Sequence, residues 1–217
     1  ERLNQHLSED TKLILSIDRM DYTKGIPNRI RAFEYFLDHY HEFKEKVRLI
    51  MLAVPSRSDV PQYQKLKRET DELVGRINGK FATVSWTPIW YFYRSLGFDN
   101  LVDLYTTCDI AWLTPIRDGM NLVAKEYIAT RTEKTGVLIL SEMAGAANEM
   151  NEALLINPNN FEQVADSLYQ AINMTVEEQI ERNAPMQKRL APASLAAWAW
   201  ATTFSISSSF SFSNWVL

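Results

Sequence analysis

A single cysteine, Cys108, excludes an internal disulfide and a cysteine-rich metal site, and it suits a reducing compartment, which places the chain in the cytoplasm. Histidine is equally scarce. Only His6, His39 and His41 occur, and the last two sit on a charged helix end where solvation is the default reading. Glycine appears at 25, 75, 79, 97, 119, 136 and 145, so no pair has the i, i+2 spacing of GxGxxG and a nicotinamide-dehydrogenase fingerprint is excluded. No HExxH or GxSxG occurs, and Cys108 has no histidine near it in sequence. No apolar run approaches the roughly 18 residues of a membrane helix, and the opening ERLNQHLSED has no signal-peptide core. Cationic charge is not in excess either. Lys plus Arg is 23 against 27 for Asp plus Glu, a net −4, which argues against a nucleic-acid or anionic-membrane binder. The lack of an initiator Met reads as a piece of a longer protein.

What is present is the composition of a globular core, 46% hydrophobic and 23% charged over 217 residues. Apolar runs without strict alternation fall at Lys12–Ile17, Val47–Val54, Thr83–Trp86, Asp109–Thr114, Val137–Leu140 and Ala153–Ile156, which is how strands buried on both faces of a parallel sheet read. Between them lie stretches of helical period: 27–43, 59–78 with Asp59 as N-cap and Gly79 after its end, 99–107, 121–130, 161–172 and 176–190. This repetition predicts an α/β fold, a Rossmann-like doubly wound parallel sheet of about six strands. Residues 1–190 read as one domain. Residues 191–217 read as a closing helix and an atypical tail, in which serines alternate with Phe204, Phe210 and Phe212, either a frayed end or a β-prone segment.

In an open α/β sheet, ligands bind beyond the carboxyl ends of the strands. Those positions hold Asp18 to Gly25, Pro55 to Asp59, Pro115 to Asn121 and Ser141 to Asn148, a collection of cations, carboxylates, amides and small residues. The rim therefore points to an anionic small molecule. Arg19 and Lys24 suit a diphosphate, or else form salt bridges with Asp18 or Asp21. Asp118 and Gly119 turn into a helix beginning near Asn121, whose first amides can meet a ligand, although Asp118 could serve only as a cap. Glu126, further along that helix, suits the hydroxyls of a ribose, or is a solvated charge. The segment Gly75 to Lys80 only faintly resembles a phosphate loop, being one residue short and lacking Ser or Thr after its lysine.

Several long segments carry a family resemblance: Ile17 to Pro27 (IDRMDYTKGIP), Val54 to Val60 (VPSRSDV), Gly75 to Lys80 (GRINGK), Arg117 to Glu126 (RDGMNLVAKE) and Gly136 to Ala147 (GVLILSEMAGAA). In this order and over about residues 12–190, the chain resembles the C-terminal half of the trehalose-6-phosphate synthases, retaining glucosyltransferases of the two-domain GT-B architecture. The resemblance implies transfer of glucose from UDP-glucose to glucose 6-phosphate, giving trehalose 6-phosphate and UDP, with no metal and no other cofactor. It implies that Arg19 and Lys24 hold the donor diphosphate and stabilise departing UDP. Asp118 and the amides of Met120, Asn121, Leu122 and Val123 would hold the glucose hydroxyls, with Glu126 on the ribose and Leu52 and Val54 bordering the base. Arg57 matches the arginine that reaches the acceptor phosphate. Retention by same-face attack within an ion pair needs no carboxylate nucleophile.

The family's N-terminal acceptor domain, with its Gly-rich loop and histidine, has no counterpart in this chain. Met20 and Met143 stand where the family often has Leu and Phe, and Trp198, Trp200 and Phe204 only loosely follow the family's closing helix. A synthase-like regulatory subunit that binds the same ligands without turnover, and a different nucleotide-sugar transferase sharing only the fold, are the alternatives. The intact Arg19, Lys24, Asp118 and Glu126 favour the enzyme. Implied partners are the two substrates, with a homo-oligomer or a complex with a phosphatase subunit as further possibilities.

Overall fold

The computed structural model describes residues 11–205, with side chains through residue 190. Six strands, β1 (Lys12–Arg19), β2 (Val47–Val54), β3 (Ile89–Tyr93), β4 (Ile110–Leu113), β5 (Val137–Ser141) and β6 (Leu154–Ile156), form one parallel sheet in the order β3-β2-β1-β4-β5-β6. The helices are α1 (Ile26–His39), α2 (Pro61–Phe81), α3 (Phe98–Thr107), α4 (Leu122–Ala129), α5 (Phe161–Ile172) and α6 (Val176–Ser205). No helix among the described residues is long and apolar enough to cross a membrane. The serine-phenylalanine end beyond 205 and residues 1–10, with His6, lie outside the described residues, as do the side chains of Trp198, Trp200 and Phe204.

Successive strand residues point to opposite faces of the sheet, so a strand covered on both sides must be apolar throughout. Ile14, Leu49, Met51, Ile110, Trp112 and Ile139 enter one core, which also holds buried residues of α1, α2 and α5. Leu13, Leu15, Ile17, Ile50, Ala111, Leu113, Leu138 and Leu140 enter the other, with buried residues of α3, α4 and α6. The continuous apolar runs of the sequence are the signature of these two cores.

Four sequence expectations are corrected. The third strand is not Thr83–Trp86 but the aromatic run Ile89–Tyr93. Thr83 instead closes a turn, its N–H donating to the Trp86 carbonyl at 2.9 Å, and the Trp86 indole donates to the Val47 carbonyl at 2.8 Å. Asn78 clamps the new strand, accepting from Ile89 N–H and donating to its carbonyl, both at 3.0 Å. Asp59 does not cap α2. Val60 does, with φ −87° and ψ 123°, because a residue preceding proline is kept from helical geometry. That helix also runs past Gly79 to Phe81, since Ile77 and Phe81 stay buried on its inner face. The helix expected over 27–43 ends at His39, and a separate 3-10 turn covers His41–Phe43.

Candidate active site

Strand order reverses between β1 and β4, and such a switch point opens a crevice at the carboxyl ends of the strands. The β1–β4 ladder pairs only Ile14 with Ile110 and Leu15 with Ala111. Just beyond it stands Arg29, fully buried on the inner face of α1. Its Nη1 donates to Ser16 Oγ and Asp18 Oδ2, both at 2.5 Å, its Nε to Thr114 Oγ1 at 2.9 Å and its Nη2 to the Lys24 carbonyl at 3.2 Å. Burial pushes the Asp18 carboxyl up from its ordinary value, against the opposing Arg29 charge. One guanidinium thus joins both strands to the loop that carries Lys24.

That loop begins at Asp21, whose carboxylate accepts from Thr23 N–H at 3.0 Å and Thr23 Oγ1 at 2.8 Å and so caps the 3-10 turn Tyr22–Lys24. Gly25 closes the turn at φ +63°. A Cβ there would lie 2.9 Å from the Thr114 carbonyl, so glycine is required on both counts. Lys24 then projects across the switch point, and its Nζ donates to Asp118 Oδ2 at 2.5 Å with both side chains largely buried. Neither salt bridge weighed from the sequence for this lysine, to Asp18 or to Asp21, forms. Arg19 is exposed, and its side chain makes no hydrogen bond or ion pair among the described residues.

Asp118 is not the helix cap. Asn121 takes that position at φ 71°, accepting from Ala124 N–H at 3.0 Å through Oδ1 and donating to Asp118 Oδ2 at 3.2 Å through Nδ2. Asp118 Oδ1 receives only Met120 N–H, at 3.4 Å, which leaves it acceptor capacity for a hydroxyl. The amides of Leu122 and Val123 fall in the first helical turn, where no intrahelical carbonyl is available to them. The loop is fixed by its neighbour: Asp118 N–H donates to Met143, Gly145 N–H to Asp118 and Ala146 N–H to Met120, at 3.3, 2.9 and 2.7 Å. A Cβ on Gly145 would come within 2.0 Å of the Gly119 carbonyl, so the two loops meet backbone to backbone. Met120 and Leu122 expose their side chains on this ledge, while Val123 is half-buried.

Glu126 does not touch the Lys24–Asp118–Asn121 group. It lies further along α4, where Tyr105 Oη donates to its Oε2 at 2.6 Å. Burial, reinforced by the Glu126 charge, holds the Tyr105 phenol well above its ordinary value, so it stays a donor. Arg57, on the loop after β2, is exposed at φ 46° and donates to Tyr63 Oη at 3.1 Å. Leu52 is buried in the sheet, and Val54 is half-buried at the rim. Sequence reasoning misses Arg29, Tyr63 and Tyr105.

This rim therefore carries, among the described residues, two arginines with no side-chain hydrogen bond or ion pair, Arg19 and Arg117, one neutralised lysine, a carboxylate with spare acceptor capacity and a short run of amides. Such a set can hold an anion beside a polyol.

A family model described as glycosyltransferase family 20 matches residues 1–207. The chain belongs to that family. Among family 20 relatives, the Dictyostelium discoideum α,α-trehalose-phosphate synthase [UDP-forming] A is 48% identical over 190 residues, covering 88% of this chain and 26% of that protein. A Burkholderia xenovorans α,α-trehalose-phosphate synthase (UDP-forming) in complex with glucose 6-phosphate superposes with a TM-score of 0.84 at 39% identity, over 90% of this chain and 43% of that one. The E. coli trehalose-6-phosphate protein bound with UDP-2-fluoro glucose gives 0.85 at 37% identity, over 91% and 45%. The chain thus spans less than half the length of each of these three proteins.

Proposed function

We propose that this chain forms the donor-nucleotide side of an α,α-trehalose-phosphate synthase, moving glucose from UDP-glucose to glucose 6-phosphate. The observation that carries this reading is the Lys24–Asp118 pair at the switch point, tied to the buried Arg29, with the exposed Arg19 at the carboxyl end of β1. A cation and a carboxylate side by side match the two ends of a nucleotide sugar: phosphate oxygens for one, hydroxyls for the other.

In this reading Arg19 and Lys24 meet the diphosphate. The bond from the sugar C1 to the β-phosphate oxygen breaks, and its electron pair leaves with UDP. The acceptor's anomeric hydroxyl oxygen forms the new bond to C1 on the same face, and its proton passes to a phosphate oxygen of UDP. The negative charge that develops on UDP lies against the two cations, and preorganised charge of this kind is commonly a large contribution to rate. Asp118 Oδ1 and the amides from Met120 to Val123 would accept from and donate to the glucose hydroxyls. Glu126, steadied by Tyr105, would take the ribose, and Arg57 the acceptor phosphate.

Calorimetric titration and thermal melting test the donor assignment. UDP at a hundredfold excess over its dissociation constant should add about 2.7 kcal/mol of stability. For a chain of this size that is a rise of about 5–10 °C in Tm. Uridine should do far less, and Arg19→Ala should weaken UDP by about 1.5–3 kcal/mol while leaving uridine unchanged. A folded sample that ignores millimolar UDP would overturn the reading. Formation of UDP and trehalose 6-phosphate by the full-length protein would establish turnover.

A further inference from the structure

Arg57 and the Arg19–Lys24 loop follow different strands, β2 and β1, and nothing in the sequence ties them. In the structure one hydroxyl does. Tyr63, in the first turns of α2 and only 8% exposed, accepts from Arg57 Nη1 at 3.1 Å and donates to Asp21 Oδ2 at 3.1 Å. A phenol carries one hydrogen, so with that hydrogen committed to Asp21 the oxygen serves Arg57 as acceptor. The rings support the same link. The Arg57 guanidinium lies 5.7 Å from the Tyr63 ring centroid, and the Tyr22 and Tyr63 centroids are 4.9 Å apart.

We propose that the Tyr63 hydroxyl is a positioning group that couples Arg57 to the Arg19–Lys24 loop, so that each substrate strengthens the binding of the other. The inference rests on the functional reading above, which places the acceptor phosphate at Arg57 and the donor diphosphate at Arg19 and Lys24. Arg57 occupies a left-handed backbone conformation that a non-glycine residue adopts only when its surroundings hold it. Asp21, at the other end, caps the turn that presents Lys24. That turn in turn accepts, at the Thr23 carbonyl, from Ile116 N–H at 2.8 Å and Arg117 N–H at 3.0 Å, next to Asp118. An unbroken chain therefore runs from Arg57 through Tyr63, Asp21 and Thr23 to the loop after β4.

Charge runs along the chain in the order cation, hydroxyl, carboxylate, the arrangement in which neighbouring hydrogen bonds polarise one another. Burial pushes the Asp21 carboxyl up, but bonds from Thr23 and Tyr63 together with the Arg19 charge bring it below its ordinary value, so it remains an acceptor. A ligand that fixes either end of the chain orders the other end, and the second ligand then has less left to order.

The test is the dissociation constant of UDP, measured calorimetrically on the full-length protein with and without saturating glucose 6-phosphate. In the unaltered protein glucose 6-phosphate should tighten UDP by about five- to fiftyfold, a usual span for coupled sites. Tyr63→Phe keeps the ring and removes the hydroxyl. It should reduce that factor to about one to two, while UDP alone changes by less than about threefold. Asp21→Asn should lower the factor in the same direction, and Arg57→Ala combined with Tyr63→Phe should remove no more than Arg57→Ala alone. If Tyr63→Phe, melting as the parent does, retains the full factor, the coupling role is wrong. The role is equally wrong if UDP alone weakens as much as the factor falls, because Tyr63 would then be a structural prop of the donor loop. An unaltered protein that binds both ligands without mutual strengthening overturns this inference only, whereas one that binds neither overturns the functional reading beneath it.

Discussion

Lys24 and Asp118 stand 94 residues apart in sequence, yet their side chains meet at 2.5 Å, each largely shielded from water. Removing one partner leaves the other charge half-desolvated, which costs more than the pair contributes. Lys24→Met should therefore lower stability by about 1.5–3 kcal/mol in urea unfolding, and adding Asp118→Asn should recover much of the loss. UDP affinity should not return with it, because the double variant still lacks the cation. Recovery of both would make the lysine structural. No local signal in the sequence foretells this pair, since a contact between loops of two strands is set by the strand order of the sheet. Arg29 is different, because a signal for it exists. It shares a face with Ile26, Ile30 and Phe33 at helical spacing, and a cation in an apolar stripe implies a buried partner. Tyr63 and Tyr105 also fall on buried faces of their helices, where a phenol reads as core and only its oxygen reveals another duty.

At the scale of loops and helices, glycine separates two situations. Gly145 faces the Gly119 carbonyl so closely that Gly145→Ala must push the two loops apart; it should cost about 1–3 kcal/mol and weaken UDP binding. Gly75 lies within α2, and a methyl placed there would meet nothing within 4 Å, so Gly75→Ala should stabilise by about 0.5–1 kcal/mol and leave UDP binding alone. Chemical denaturation of the two variants reads both signs, and a harmless Gly145→Ala would mean that the ledge is slack. Strands buried on both faces are readable because two-sided burial demands unbroken apolar sequence. The edge strand β3 is not, because its Tyr91 and Tyr93 are half-buried aromatics, while Thr83 to Ser85, exposed ahead of the buried Trp86, mimic a strand with a turn. The start of α2 turns on one residue: Pro61 dictates the backbone of Val60, and this overrides the side-chain preference of Asp59 for a capping position.

For the molecule as a whole, Cys108 is a built-in reporter. It is fully buried at the end of α3, and burial pushes its thiol far above the ordinary range. Alkylation should proceed only through opening of the fold, so the logarithm of its rate should fall when UDP is added, in proportion to the stability gained. Labelling of the folded chain at the rate of a free thiol would contradict the packing around β4. The doubly wound class is legible from strand and helix spacing alone, and so is the rim on which the polar residues gather. The pairing across the rim is not, because it depends on how far the two central strands separate. They part after two rungs of their ladder, and a single guanidinium fills the gap beneath. Arg29 is in that sense a keystone: a shorter, uncharged residue there would deprive Ser16, Asp18 and Thr114 of a shared partner at one stroke, and the turn that carries Lys24 would lose its tie to the sheet.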